Sequence, residues 1–119
     1  MPLVYIHHRS DGRYPKIAAG LAQTLPGTVA LNLSMDAGQS EEVVSVNPKT
    51  IRTMLMPANP QDVNPFDIGI VIWAHNFPGR VATARLREES IRSAVKSYVA
   101  GNAAGFVTLN LIHMEVGTF

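Results

Sequence analysis

The 119-residue sequence predicts an α/β (α+β) fold built from two successive β-α-β units, and three observations carry that expectation. Apolar stretches and turn residues alternate in the order strand, helix, strand, twice over. Residues 4–13 and 71–80 align at one offset with four identities: Val4/Val71, His8/His75, Gly12/Gly79 and Arg13/Arg80. In both segments a β-branched stretch passes through turn residues into a helical pattern, as an internal repeat would. Between them, residues 56–66 hold three prolines and two asparagines, the composition of a linker between units. The expected organisation is a single domain, residues 1–119, made of two repeats at about residues 2–56 and 67–114.

The first strand falls at about residues 3–8. Asp11-Gly12 then supplies a turn, and Pro15 suits the first turn of a helix, where its missing N–H costs nothing. Ile17, Leu21 and Leu25 recur every fourth residue, and Val29 and Leu33 prolong the stripe past Pro26-Gly27. One stripe through both pieces favours a helix kinked or restarted at Pro26, although residues 28–34 also alternate as a strand would. Residues 36–42 form a polar, acidic loop, residues 43–46 a short extended piece, and residues 51–56 the second strand after Asn47-Pro48.

In the second unit, residues 67–75 read as a strand buried on both faces. Pro78-Gly79 marks a turn, and residues 84–99 an amphipathic helix. Its inward positions are Ile91, Val95 and Tyr98/Val99, with Arg87, Glu88, Arg92 and Lys96 mostly outward. Gly101-Asn102 ends that helix, and residues 106–114 supply the last strand. This order suits a ferredoxin-like fold as well as two side-by-side β-α-β units with right-handed crossovers. The repeated turn and arginine favour the second.

Composition narrows the function classes. Ten basic against nine acidic residues give a net charge of +1, which argues against nucleic acid held on a broad cationic face. The longest apolar stretch, residues 68–74, is far short of the ~20 residues a membrane helix needs. No basic-then-apolar leader opens the chain, so a cytoplasmic location is expected. With no cysteine there is neither a disulfide framework nor a thiolate nucleophile. His7 and His8 are adjacent and would face opposite ways on a strand, and His75 and His113 complete no metal-binding spacing, so no metal is expected. Ser10 and Ser34 lack a nucleophile-elbow context. The Glu88-Glu89 pair fits a solvated helix face.

Pro2 is the residue with the most specific chemistry. Once Met1 is removed it carries a secondary amine at the head of a strand. Ordinary α-amino groups titrate near ~7.7–8.0, and desolvation or nearby cations lower that, which makes such a proline a usable base at neutral pH. With Met1 retained, the same nitrogen is a tertiary amide without basicity.

Proline after the initiator Met, a first strand Leu3-Val4-Tyr5-Ile6-His7, and Gly12-Arg13 before a long helix together resemble the tautomerase superfamily, whose prototype is 4-oxalocrotonate tautomerase. Asn47-Pro48-Lys49-Thr50-Ile51-Arg52 is similar to that family's turn and strand ending on a substrate-binding arginine. The second unit lacks a leading proline, as in members with two units fused in one chain. The resemblance implies a homotrimer acting on a small carboxylate substrate without a cofactor. It makes Pro2 the general base, and Arg13, Arg52 and Arg80 the groups that hold the substrate's carboxylate and keto oxygens. The implied reaction moves a proton in a 2-keto or 2-hydroxy-dienoate acid; the alternative is a non-catalytic, oligomeric ligand-binding module. Trp73, Phe77, Tyr98 and Phe119 are the aromatic candidates for the pocket roof. The acidic residues 36–42 match nothing in the prototype.

Overall fold

A computed structural model describes residues 2–35, 44–115 and 117–119. The acidic loop expected at residues 36–42 lies outside the described residues, as does Met1. The elements in chain order are β1 (Leu3–His8), α1 (Tyr14–Leu33), a 3-10 turn (Pro48–Thr50), β2 (Arg52–Pro57), β3 (Ile68–His75), α2 (Pro78–Ala82), α3 (Ala84–Val99) and β4 (Gly105–Ile112). The four strands form one mixed sheet in the order β2-β1-β3-β4. β1 and β2 run parallel, β3 and β4 run parallel, and β1 meets β3 antiparallel. Each β-α-β unit therefore keeps its two strands adjacent. A ferredoxin-like sheet would split each unit with a strand of the other, so the topology excludes that alternative.

Both long helices pack on one face. Val4 and Ile6 of β1, Ile70, Ile72 and Ala74 of β3 and Val107 of β4 join Ala18, Leu21, Leu25, Val29 and Leu33 of α1 and Ile91 of α3 in one core. α1 is continuous through Pro26, because the stripe that buries Leu21, Leu25, Val29 and Leu33 holds the helix in place despite the missing N–H. α3 ends where Ala100 turns left-handed (φ 49°) ahead of Gly101 (φ 81°). Two expectations for α3 fail. Arg87 is buried, and Tyr98 is 45% exposed, with its hydroxyl end over Gly20 of α1.

The opposite face of the sheet carries no helix. The strand registers arrange it in three rows: Arg52–Leu3–Trp73–Asn110, Met54–Tyr5–Val71–Thr108 and Met56–His7–Gly69–Phe106. β3 is therefore not buried on both faces. Ile68, Ile70, Ile72 and Ala74 face the helices, while Val71, Trp73 and His75 are half-buried on this open face.

The offset of 67 that aligned the two halves in sequence does not survive. Strand residues alternate faces, so an odd offset moves a residue across the sheet. Val4 faces the helices whereas Val71 lies on the open face. Gly12 takes a left-handed turn conformation (φ 58°), but Gly79 sits inside α2. The units correspond instead through the central pair Tyr5↔Val71, an even offset of 66 (71 minus 5).

Candidate functional site

Pro2 lies buried at the head of β1, and its carbonyl accepts the Arg52 N–H at 3.2 Å. This bond joins the starts of β1 and β2, so parallel pairing itself brings Pro2 and Arg52 together. The Arg52 side chain projects from the open face beside Leu3. It is exposed, and among the described residues its guanidinium has no hydrogen-bond or ion-pair partner. A free guanidinium at a sheet edge offers a two-pronged seat for a carboxylate.

β3 arrives at the same end from the opposite direction. Since Leu3 faces Trp73, Ala74 lies opposite Pro2 and His75 lies one step further on. His75 Nδ1 accepts the Met114 N–H at 3.2 Å. The ring packs edge-on against Phe77 (4.6 Å between centroids) and against His113 (5.5 Å). His75, Phe77 and His113 thus form a ring cluster at the Pro2 end, with Trp73 two residues before His75 on the same face of β3. Tyr98 and Phe119, the other aromatic candidates, are exposed. Tyr98 belongs to the helix face, where its hydroxyl lies over Gly20.

Arg80 is also at this end, but buried at 3% exposure and already engaged. Its Nε donates to the Leu33 carbonyl at 2.9 Å and its Nη1 to the His75 carbonyl at 3.1 Å, while the guanidinium lies 4.9 Å from the Phe77 ring centre. Arg87 donates through Nη1 to the carbonyls of Asn32 (2.5 Å) and Ser34 (3.0 Å). The last turn of α1 has no basic residue of its own, so two arginines of the second unit satisfy its open carbonyls and its negative dipole end. Burial, and secondarily the Arg87 charge, lower the Arg80 pKa to about 10. Arg80 remains cationic at neutral pH and holds the end of β3, with His75, against the end of α1.

Arg13 is not part of this assembly. It precedes α1 at the far end of β1, where its Nε donates to the Asn102 carbonyl at 3.2 Å. β1 alone separates it from Pro2 by about 20 Å. The pairing Arg13/Arg80, inferred from the sequence, therefore joins an exposed residue at one end of the sheet to a buried one at the other. The pairing His8/His75 dissolves in the same way. His8 is buried at the Arg13 end with Nδ1 2.7 Å from the Arg9 carbonyl. His75 and Arg87 are the residues that sequence reasoning missed. For His75 the signal was present: it lies two residues after Trp73, on the same face of a strand that ends beside Pro2.

Three hollows among the described residues lie away from Pro2, and the smallest, of about 410 Å³, sits beside Arg9, Asp11 and Asn59. One of about 640 Å³ runs between α3 and the edge strand β4, over Val95, Val99 and Val107. Another, of about 540 Å³, opens beside His7, Met56, Phe66 and Phe106 at the opposite end of the open face.

Comparison with known proteins finds no matching family profile and no matching curated protein. Solved structures do match. A native fused 4-OT superposes with a TM-score of 0.61, covering 97% of this chain and 92% of its own, at 12% identity. A second structure, described as a wild-type fused 4-OT symmetric trimer, gives a TM-score of 0.57 over 93% of this chain and 85% of its own, at 17% identity. The chain shares the fold of these fused 4-OT structures, one mixed four-stranded sheet with its helices on one side.

Proposed function

We propose that the protein is a tautomerase-like isomerase whose base is the amine of Pro2, freed by removal of Met1. The single observation behind this reading is the pairing of Pro2 with Arg52. A hydrogen bond joins the two at the head of the sheet, with the guanidinium unpartnered among the described residues, on a fold shared with fused 4-OT. The substrate is a 2-hydroxydienoate or related enol acid. Its carboxylate lies in the Arg52 fork. The Pro2 amine removes the 2-hydroxyl proton, the oxygen's electron pair closes the C=O bond, and the displaced π pair takes the same proton from the prolinium onto carbon. Charge that gathers on oxygen in the transition state is what neighbouring donors stabilise. The chemistry calls for no cofactor.

Arg80 enters this reading through the position it gives His75 and α1, and Arg13 can serve only the Pro2 of another copy. A homotrimer fits the placing of Arg13. Met54, Met56 and Ile112 are 39%, 41% and 43% exposed on a sheet face without helices, and a further copy would cover them. The chain then acts as one functional domain of two units. Ketonisation of phenylenolpyruvate, followed by ultraviolet absorbance with Pro2-terminated protein, tests the assignment. Arg52→Ala should lower kcat/KM by about 10²–10³-fold, the typical cost of one such donor. An unchanged rate would remove Arg52, and with it the assigned site.

A further inference from the structure

We propose that His75 donates the hydrogen bond that polarises the substrate's 2-oxygen, on the side of Pro2 away from Arg52. This assignment deepens the proposed function and rests on it.

Strand register supplies the placement. Neighbouring strands lie about 4.8 Å apart and residues rise about 3.3 Å, so the Cα of His75, one step past the position opposite Pro2, is about 6 Å from the Cα of Pro2. Arg52 stands on the other flank of β1, two strands and about 10 Å from Trp73. A 2-oxo acid carries its carboxylate and 2-oxygen on adjacent carbons, so the long Arg52 side chain must reach inward from its flank to meet the first while the second stays near β3. Its carboxylate meets Arg52, its 2-oxygen lies next to Pro2, and the donor facing that oxygen comes from the end of β3.

The hydrogen bonding supplies the chemistry. The Met114 N–H occupies Nδ1 as an acceptor, which puts the ring proton on Nε2. The imidazole is therefore a donor through Nε2, which has no hydrogen-bond partner among the described residues. Phe77 and His113 restrict its rotation, and Arg80 fixes the backbone carbonyl of the same residue at 3.1 Å. A donor held in place before the oxygen gains charge is what stabilises such a transition state. Among the described residues, other donors at this end of β3 are placed differently: Arg80 is buried on carbonyls, His113 is turned to Glu115 with its Nε2 3.3 Å from the carboxylate, and Trp73 lies one pleat further from the strand end, opposite Leu3 and not Pro2.

The corresponding position at the other end of the sheet shows the contrast. The offset of 66 carries His75 onto Arg9, which is bound to Asp11 at 2.8 Å and to Asp67 at 3.5 Å. There the donor is neutralised, and no proline amine lies beside it. Of these two positions, the one beside Pro2 keeps a donor with no partner among the described residues.

The test uses Pro2-terminated protein and phenylenolpyruvate. His75→Phe keeps the ring's packing but removes the donor, and should lower kcat about 10²–10³-fold with KM little changed, because Arg52 still binds the carboxylate. His75→Gln, which restores an N–H, should recover part of the loss. In the wild type, the His75 Nε2 nitrogen signal should shift on addition of phenylpyruvate and stay in the Nε2–H form. Equal kcat in wild type and His75→Phe, or a nitrogen signal unmoved by the keto acid, would overturn the role of His75 while leaving Pro2 and Arg52 in place. An inactive wild type would instead overturn the proposed function, and this donor role with it.

Discussion

The approximate two-fold axis through Tyr5 and Val71 exchanges the two ends of the open face, and those ends carry opposite chemistry. At the Pro2 end the row is Arg52, Leu3, Trp73 and Asn110. At the far end the exchanged row is Phe106, Gly69, His7 and Met56. Arg52 is replaced by Phe106, whose ring lies over Gly69 and meets Phe66 edge-on at 4.7 Å. A Cβ on Gly69 would stand 2.6 Å from that ring, so the glycine is what admits it. One end thus carries a cation unpartnered among the described residues, beside Pro2, and the other an aromatic cluster beneath the linker. A backbone built of two like units supplies two equivalent positions, and side chains alone decide which becomes a site.

The largest expected effects come from breaking this asymmetry. Arg52→Ala should cost about 10²–10³-fold in kcat/KM, whereas Phe106→Ala, at the exchanged position, should leave the rate unchanged and lower only the melting temperature. In the active form the rate should climb with pH as the Pro2 amine loses its proton. Arg52→Ala should carry that limb to higher pH, because a cation that disfavoured the protonated amine is gone. Equal losses from the two substitutions would mean that the ends do not differ in function.

The next effect concerns what joins the units. Arg80→Ala leaves the Leu33 and His75 carbonyls without their charged donor and should destabilise the protein by about 3 kcal/mol in urea titration. Smaller and opposite in sign is Gly27→Ala. Nothing lies within 4 Å of a Cβ there, so the helix gains about 0.5–1 kcal/mol. Gly105→Ala, by contrast, would drive a Cβ into the Ile68 carbonyl and should destabilise β4. A stabilising Gly105→Ala would contradict the strand register.

The smallest effect is electrostatic and lies at the far end. The hydrogen bond from Arg9 holds the Asp11 carboxyl below its ordinary value of 3.8. A lowered carboxylate pKa contributes stability that is present above the ordinary value and lost as pH falls through the lowered one. Asp11→Asn should therefore match the wild type in acid and melt slightly earlier above about pH 4. Both groups are exposed, and salt should erase the difference.

Much of this architecture was legible because apolar spacing survives tertiary packing. The Ile17–Leu33 stripe marked α1 through its proline, and the bounds of α3 were readable from Ile91, Val95 and Val99. The Asn47-Pro48 turn pointed to Arg52, and the β1 sequence to Pro2. Correspondence between the units was misread because residue identity does not report which side of a strand a residue occupies. Val4 and Val71 match in letters but lie on opposite faces. Arg87 was placed outward because a helical stripe cannot show that a neighbouring helix ends beside it with open carbonyls. Arg80 was expected to hold substrate for the same reason: its partners, Leu33 and His75, are brought to it only by the fold. The availability of His75 likewise follows from strand order and register.

The central claim is that a free Pro2 amine is the base, and one comparison reaches it directly. Two preparations, one ending in Pro2 and one retaining Met1, each verified by intact mass, are assayed for ketonisation of phenylenolpyruvate under identical conditions. Retaining Met1 converts the base into an amide while leaving Arg52, His75 and the sheet in place. The account predicts turnover by the Pro2-terminated form and none above buffer by the Met1-retaining form. Equal turnover by both, or none by the Pro2-terminated form, would contradict it.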